Sequence, residues 1–123
     1  MGMIEDDLRG LLADELDEDV YARLIPVGMP ECVVVQNMGG STARAGIRRA
    51  YYTISIMSVS ADREKAGQIM RRARNKLVKA LPVKIGDIHY YTAIPLADGK
   101  LDYKTNNGPK YVAFVDMEVG ASL

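Results

Sequence analysis

The sequence predicts a small, single-domain α+β protein, and three observations support that prediction. Two amphipathic helical patterns stand among five or six extended segments, in the order helix, three strands, helix, two or three strands. The 123 residues fall near the commonest size for one domain, enough to bury about two-thirds of the unfolded surface. Hydrophobic residues at 48% and charged residues at 26% match a folded chain rather than a disordered one. No internal repeat, low-complexity tract or linker divides the chain, so residues 1–123 read as one domain.

The first helix is expected over roughly residues 3–16. Ile4, Leu8, Leu11 and Leu12 recur at helical spacing and form one apolar stripe. Asp6 and Asp7 fall in its first turn, where the helix dipole favours negative charge. Asp17 to Asp19 end the pattern.

Three extended segments follow. Val20 to Ile25 is short and stops at Pro26. Cys32 to Asn37 is a β-branched run of strand length after Pro30. Residues 47–59 are longer, with Tyr52, Ile54 and Ile56 alternating with Thr53 and Ser55, as in a half-buried strand. Between the last two, Met38 to Gly46 is glycine-rich and reads as a long, mobile hairpin loop. A phosphate-binding loop would need Lys-Ser/Thr and a helix after its last glycine. Here Gly46 leads into Ile47-Arg48-Arg49 and a strand, so the loop reads as a connector or contact loop.

The second helix, residues 61–81, carries the strongest pattern. Ser60 or Asp62 can cap it and Leu81-Pro82 ends it. Ala66, Ile69, Met70, Ala73, Leu77, Ala80 and Leu81 fall within about 60° of one direction on a helical wheel. Lys65, Arg72, Lys76 and Lys79 line one flank; Arg63, Arg71 and Arg74 line the other.

The last third predicts further strands. Ile85 to Leu96 includes Tyr90 and Tyr91, and Pro95 suggests an edge or a bulge. Asp98-Gly99 reads as a tight turn, as does Asn106-Asn107-Gly108-Pro109. Tyr111, Ala113, Val115, Met117 and Val119 alternate with polar Asp116 and Glu118. Of the adjacent tyrosines 51/52 and 90/91, one of each pair should point away from the core, where an apolar ring with a polar tip suits an interface.

Chemistry finds few candidates. Cys32 is the only cysteine and His89 the only histidine, which excludes an internal disulfide and a Cys-based zinc site. The two lie on different expected strands, and nothing pairs them as nucleophile and base. The acids of residues 14–19 lack the alternating oxygen ligands of a calcium loop. No acid pair sits in a recognisable cleft. Neither catalysis nor a cofactor is expected. No apolar run reaches the roughly 20 residues of a membrane span. The chain also starts acidic, unlike a secretory signal, so it is expected to stay in a cytoplasm.

A net charge of zero hides a strong segregation. Residues 1–31 hold nine acids against Arg9 and Arg23, and residues 32–84 hold eleven bases against Asp62 and Glu64. One reading is two solvated faces of unlike sign. A sharper reading is a repeated contact between copies, with Asp14, Glu15, Asp17, Glu18 and Asp19 facing Arg44, Arg48, Arg49, Lys65, Arg72, Lys76 and Lys79.

In element order the chain resembles bacteriophage tail-terminator (tail-completion) proteins, a type often labelled minor capsid protein. The features are the short helix Ile4–Leu16, the Val20–Pro26 and Pro30–Asn37 segments, the glycine loop, the strand Ile47–Val59, the single helix Ala61–Leu81 and the closing strand Tyr111–Val119. They are features of pattern and order, without a chemical motif. The resemblance implies two helices packed on a mostly antiparallel sheet of about five to six strands. It also implies six copies in a ring at the head-proximal end of a phage or prophage tail, which stops tube growth and joins the tail to the head. The partners would then be further copies of the chain, a tail-tube protein and a head-completion or connector protein. The chain would reside in the virion, after assembly in the host cytoplasm.

Two other classes compete. One is a nucleic-acid-binding module using helix 61–81 with Arg44, Arg48 and Arg49, whose affinity would fall with salt. The other is a small ligand-binding regulatory domain. Neither membrane association nor sequence-specific nucleic-acid binding is expected of the tail reading.

Overall fold

The computed structural model describes residues 4–41 and 49–122. Its elements are α1 (Ile4–Glu15), β1 (Asp19–Ala22), β2 (Cys32–Ser41), β3 (Arg49–Ser60), α2 (Arg63–Ala80), β4 (Val83–Ile85), β5 (Ile88–Thr105) and β6 (Gly108–Ser122). The six strands form one sheet in the order β1-β2-β3-β6-β5-β4. Only β1 runs parallel to its neighbour; every other pairing is antiparallel. This is the expected α+β fold, with two helices and a mostly antiparallel sheet.

Alternation along the strands decides which face the helices cover. Val33 and Val35 of β2, Ile54 and Ile56 of β3, and Ala113, Val115, Met117 and Val119 of β6 point to one face and are buried. Against them pack Ile4, Leu8 and Leu12 of α1 and Ala66, Ile69, Met70, Ala73 and Leu77 of α2. Both apolar stripes read from the sequence therefore meet the sheet, and Leu11 packs at the margin of this core. Ser58, buried on this face, donates its hydroxyl to the Ala66 carbonyl and ties α2 to β3.

Asp62 caps α2, its carboxylate accepting from the Glu64 N–H at 3.0 Å and the Lys65 N–H at 3.3 Å. Ser60, the other candidate cap, instead accepts from the Asp62 N–H at 3.1 Å. The tyrosines divide as expected. Tyr90 is buried and Tyr52 packs against the core, whereas Tyr51 and Tyr91 are exposed.

Two expectations are corrected. The glycine-rich segment is not all loop: β2 runs through Met38 to Ser41 and pairs with β3, past a bulge between Asn37 and Gly39. The rest of that segment lies outside the described residues. Asp98-Gly99 is not a turn. Strand β5 runs straight through it, with Asp98 opposite Val115 and Gly99 opposite Phe114. A Cβ on Gly99 would lie 2.6 Å from Cζ of Phe114, so any larger residue would force that ring to shift. The ring of Phe114 occupies the space a side chain would take. The second expected turn is present, with Asn106-Asn107 between the paired Thr105 and Gly108, and Pro95 marks a bulge in β5 as anticipated.

Among the described residues no helix packs on the second face of the sheet. Cys32, Val34, Val59 and Val112 form a small buried cluster at one end of it, under Ile25 and Met29 of the 23–31 loop. Beyond that loop no other described element covers the face.

Candidate functional site

The segregated charges meet inside one chain. Arg72 donates to Glu18 at 2.9 and 3.2 Å, and the Lys76 ammonium lies 3.4 Å from Glu15. Lys65 reaches Glu31 at 3.0 Å, and the Ser60 hydroxyl donates to the same carboxylate at 3.0 Å. The hydrogen bond from Lys65 is the main cause that holds the Glu31 carboxyl below the usual range. Helix α2 is laid across the sheet by its apolar stripe, and its basic flank thereby falls beside the acidic segment that follows α1. Arg23 makes a further seam, 2.7 Å from Asp6 and 3.6 Å from the nearly buried Glu5. Glu5 also accepts from the Asn37 N–H at 3.0 Å, which fixes α1 to β2 at its bulge.

Of the residues expected to join copies through charge, Glu15, Glu18, Lys65, Arg72 and Lys76 thus have partners within the chain. Asp14, Asp17 and Asp19 are exposed. Lys79 is exposed in the last turn of α2, where a cation suits the helix dipole. Arg44 and Arg48 lie outside the described residues. Arg49 begins β3, its backbone opposite Ser122.

Among the described residues, two open depressions lie along α1. One, of about 410 Å³, is lined by Arg9, Leu16 and residues 17–21; the other, of about 400 Å³, by Asp6, Asp7, Asp14 and Ile85 among others. Neither gathers convergent buried polar groups. Among the described residues no buried side-chain nitrogen or oxygen lacks a partner, and no group of three or more His, Cys, Asp or Glu could hold a metal. No described helix is long and apolar enough to cross a membrane.

Cys32 and His89 are kept apart, because β3 and β6 separate the strands that carry them. Burial, with a smaller push from Asp19, raises the Cys32 thiol to about 11, far from a nucleophile's range. His89 stacks on Tyr91 with ring centroids 6.2 Å apart. Tyr90 donates its hydroxyl to Asp7. Burial first, then this bond, raises its ionisation well above the ordinary value.

What remains is surface. On the open face, Ile94 of β5 (51% exposed) and Tyr51 of β3 (44% exposed) stand among Thr53, Asp116 and Glu118. Leu101 and Tyr103 lie further along β5 on the same face, beside the half-buried Phe114. Strand β5 is also an edge: β4 pairs only with Ile88 to Tyr90, and among the described residues no strand pairs with its outer side from Thr92 to Thr105. In the sequence this strand is legible only as far as Leu96; the Asp98-Gly99 turn signal hid residues 97–105. The period-two run Asp98, Lys100, Asp102, Lys104 is the signal that could have revealed it. No protein-family model matches the chain, and no curated protein matches it.

Proposed function

We propose that the chain is a structural subunit of a phage or prophage tail, of the tail-terminator type, acting by surface contact rather than by bond chemistry. Six copies would close a ring at the head-proximal end of the tail tube, stop its growth and offer the head a joining surface. The observation that carries this reading is the open sheet face. An antiparallel sheet can turn one face to water, but that face is then polar. Here it presents Tyr51, Ile94, Leu101 and Tyr103, the mixture of aromatic, apolar and polar groups found where proteins meet. The fold itself agrees with what the resemblance implies.

The ionic seams change how such a ring would be held. Because Glu15, Glu18 and Glu31 engage Lys76, Arg72 and Lys65 within the chain, the ring contact rests on the open face more than on opposed charges. The same pairing weakens the nucleic-acid reading, since three cations of the basic flank already have carboxylate partners. The test is electron microscopy of the purified chain mixed with the tail tube of the phage or prophage that encodes it. One six-membered ring on one tube end is expected, and lost on Ile94→Asp. Tubes left bare by the unaltered chain would overturn the proposal.

A further inference from the structure

The geometry points to a second, two-fold contact between copies of this chain: strand β5 pairs with β5 of another copy, antiparallel and centred on Leu101. The backbone is set for it. Pro109 has no N–H and stands opposite Lys104, so that pair belongs to the non-hydrogen-bonded set of the β5–β6 ladder. Alternation along an antiparallel strand then turns the N–H and C=O groups of Asp98, Lys100, Asp102 and Lys104 to the open edge. These are the groups a further strand would bond.

The side chains select the register. Centred on Leu101, the pairing sets Asp98 against Lys104 of the second copy, and Lys100 against Asp102. By symmetry the same pairs repeat on the other side of the axis. All these charges lie on the helix-bearing face, where Asp102 is already 4.0 Å from Arg63 of its own chain. On the open face Leu101, 47% exposed, meets Leu101, and Tyr103 meets Gly99 next to Phe114. A slip by two residues ruins this. One direction stacks Lys100 on itself and Asp98 on Asp102; the other stacks Asp102 on itself and Lys100 on Lys104. Directly opposed like charges destabilise a strand pair. Charges on an edge ordinarily keep other strands away; here their alternation rejects the neighbouring registers and favours one.

The occupant is therefore a second copy of the chain, and the contact is isologous, so it joins two subunits and stops. A ring needs a different, head-to-tail pair of surfaces, and the β5 contact holds whether or not the ring reading does.

Sedimentation equilibrium of the full chain tests it. The free chain is expected as a dimer, and Lys100→Asp or Asp102→Lys alone should give a folded monomer with unchanged circular dichroism. The double variant K100D/D102K restores opposite charges across the axis and should restore the dimer. Leu101→Cys gives a readout independent of charge. Facing non-hydrogen-bonded residues have Cα atoms about 4.5 Å apart, within disulfide reach, so mild oxidation should cross-link L101C, but not Y103C, into dimers. Buried Cys32 does not compete. A monomeric unaltered chain, a double variant that stays monomeric, or an L101C chain that forms no cross-link in any assembly would each overturn the pairing.

Discussion

Arg72 of α2 holds Glu18, just beyond α1, through one guanidinium nitrogen at 2.9 and 3.2 Å. This contact turns a charge segregation visible along the sequence into an internal seam. Glu18 keeps only 12% of its side chain accessible, whereas Arg72 keeps 42%. The pair should thus contribute near the upper end of the surface range, about 1 kcal/mol. A double-mutant cycle of Glu18→Gln and Arg72→Ala, read by urea unfolding, should return a coupling of that size. Neither variant should lose the ring on tail tubes.

Close approaches fix two glycines. A Cβ on Gly40 would lie 2.7 Å from the Tyr51 carbonyl oxygen and 2.7 Å from a ring carbon of Tyr52, and backbone gives way less readily than a ring. On Gly99 it would meet only the Phe114 ring. Gly40→Ala should therefore cost more than Gly99→Ala, each on the order of 1–3 kcal/mol as overpacking. The combination Gly99→Ala with Phe114→Leu should recover part of the loss, measured as a non-additive shift in melting temperature.

Tyr90 links the sheet to α1 through its hydrogen bond to Asp7. A bond to a charged group contributes roughly 1.5–3 kcal/mol. Tyr90→Phe keeps the ring in the core and should lose about that much. Hydrogen exchange in α1 should rise more than in α2, because only α1 loses a tether.

Cys32 and Tyr90 both predict weakness at high pH. The Cys32 thiol rises from an ordinary value of 9.0 to about 11 in the fold, chiefly because burial disfavours the thiolate. The unfolded chain therefore releases this proton first. Its contribution is fully present below pH 9 and is lost as pH climbs towards 11. The Tyr90 phenol is shifted the same way. Stability should fall across this window, and Cys32→Ala should flatten part of the fall. In the native protein at pH 8 the thiol should resist a disulfide reagent that labels it readily in denaturant.

Much of this fold was legible because periodicity survives in the sequence where burial is one-sided. The stripes of both helices and the alternation of Tyr111 to Val119 are direct imprints of a core on one face of the sheet. The parallel β1–β2 pair was not legible, since four residues of β1 carry too little pattern to show a direction. Asp98-Gly99 misled because the sequence signal for a turn assumes that glycine serves backbone freedom, whereas this glycine makes room for Phe114. The ionic seams were half legible. Composition showed which segments carry opposite charge, but only the placement of α2 across the sheet shows that Arg72 and Lys76 reach their own chain's Glu18 and Glu15.

The most direct test of the central claim is the length of tails assembled when the chain is missing. Deleting its gene from the phage or prophage that carries it, and measuring tails by electron microscopy, should give tubes that overgrow and never join heads. Normal lengths should return when the chain is supplied in trans. Tails of unchanged length, attached to heads without it, would contradict the account.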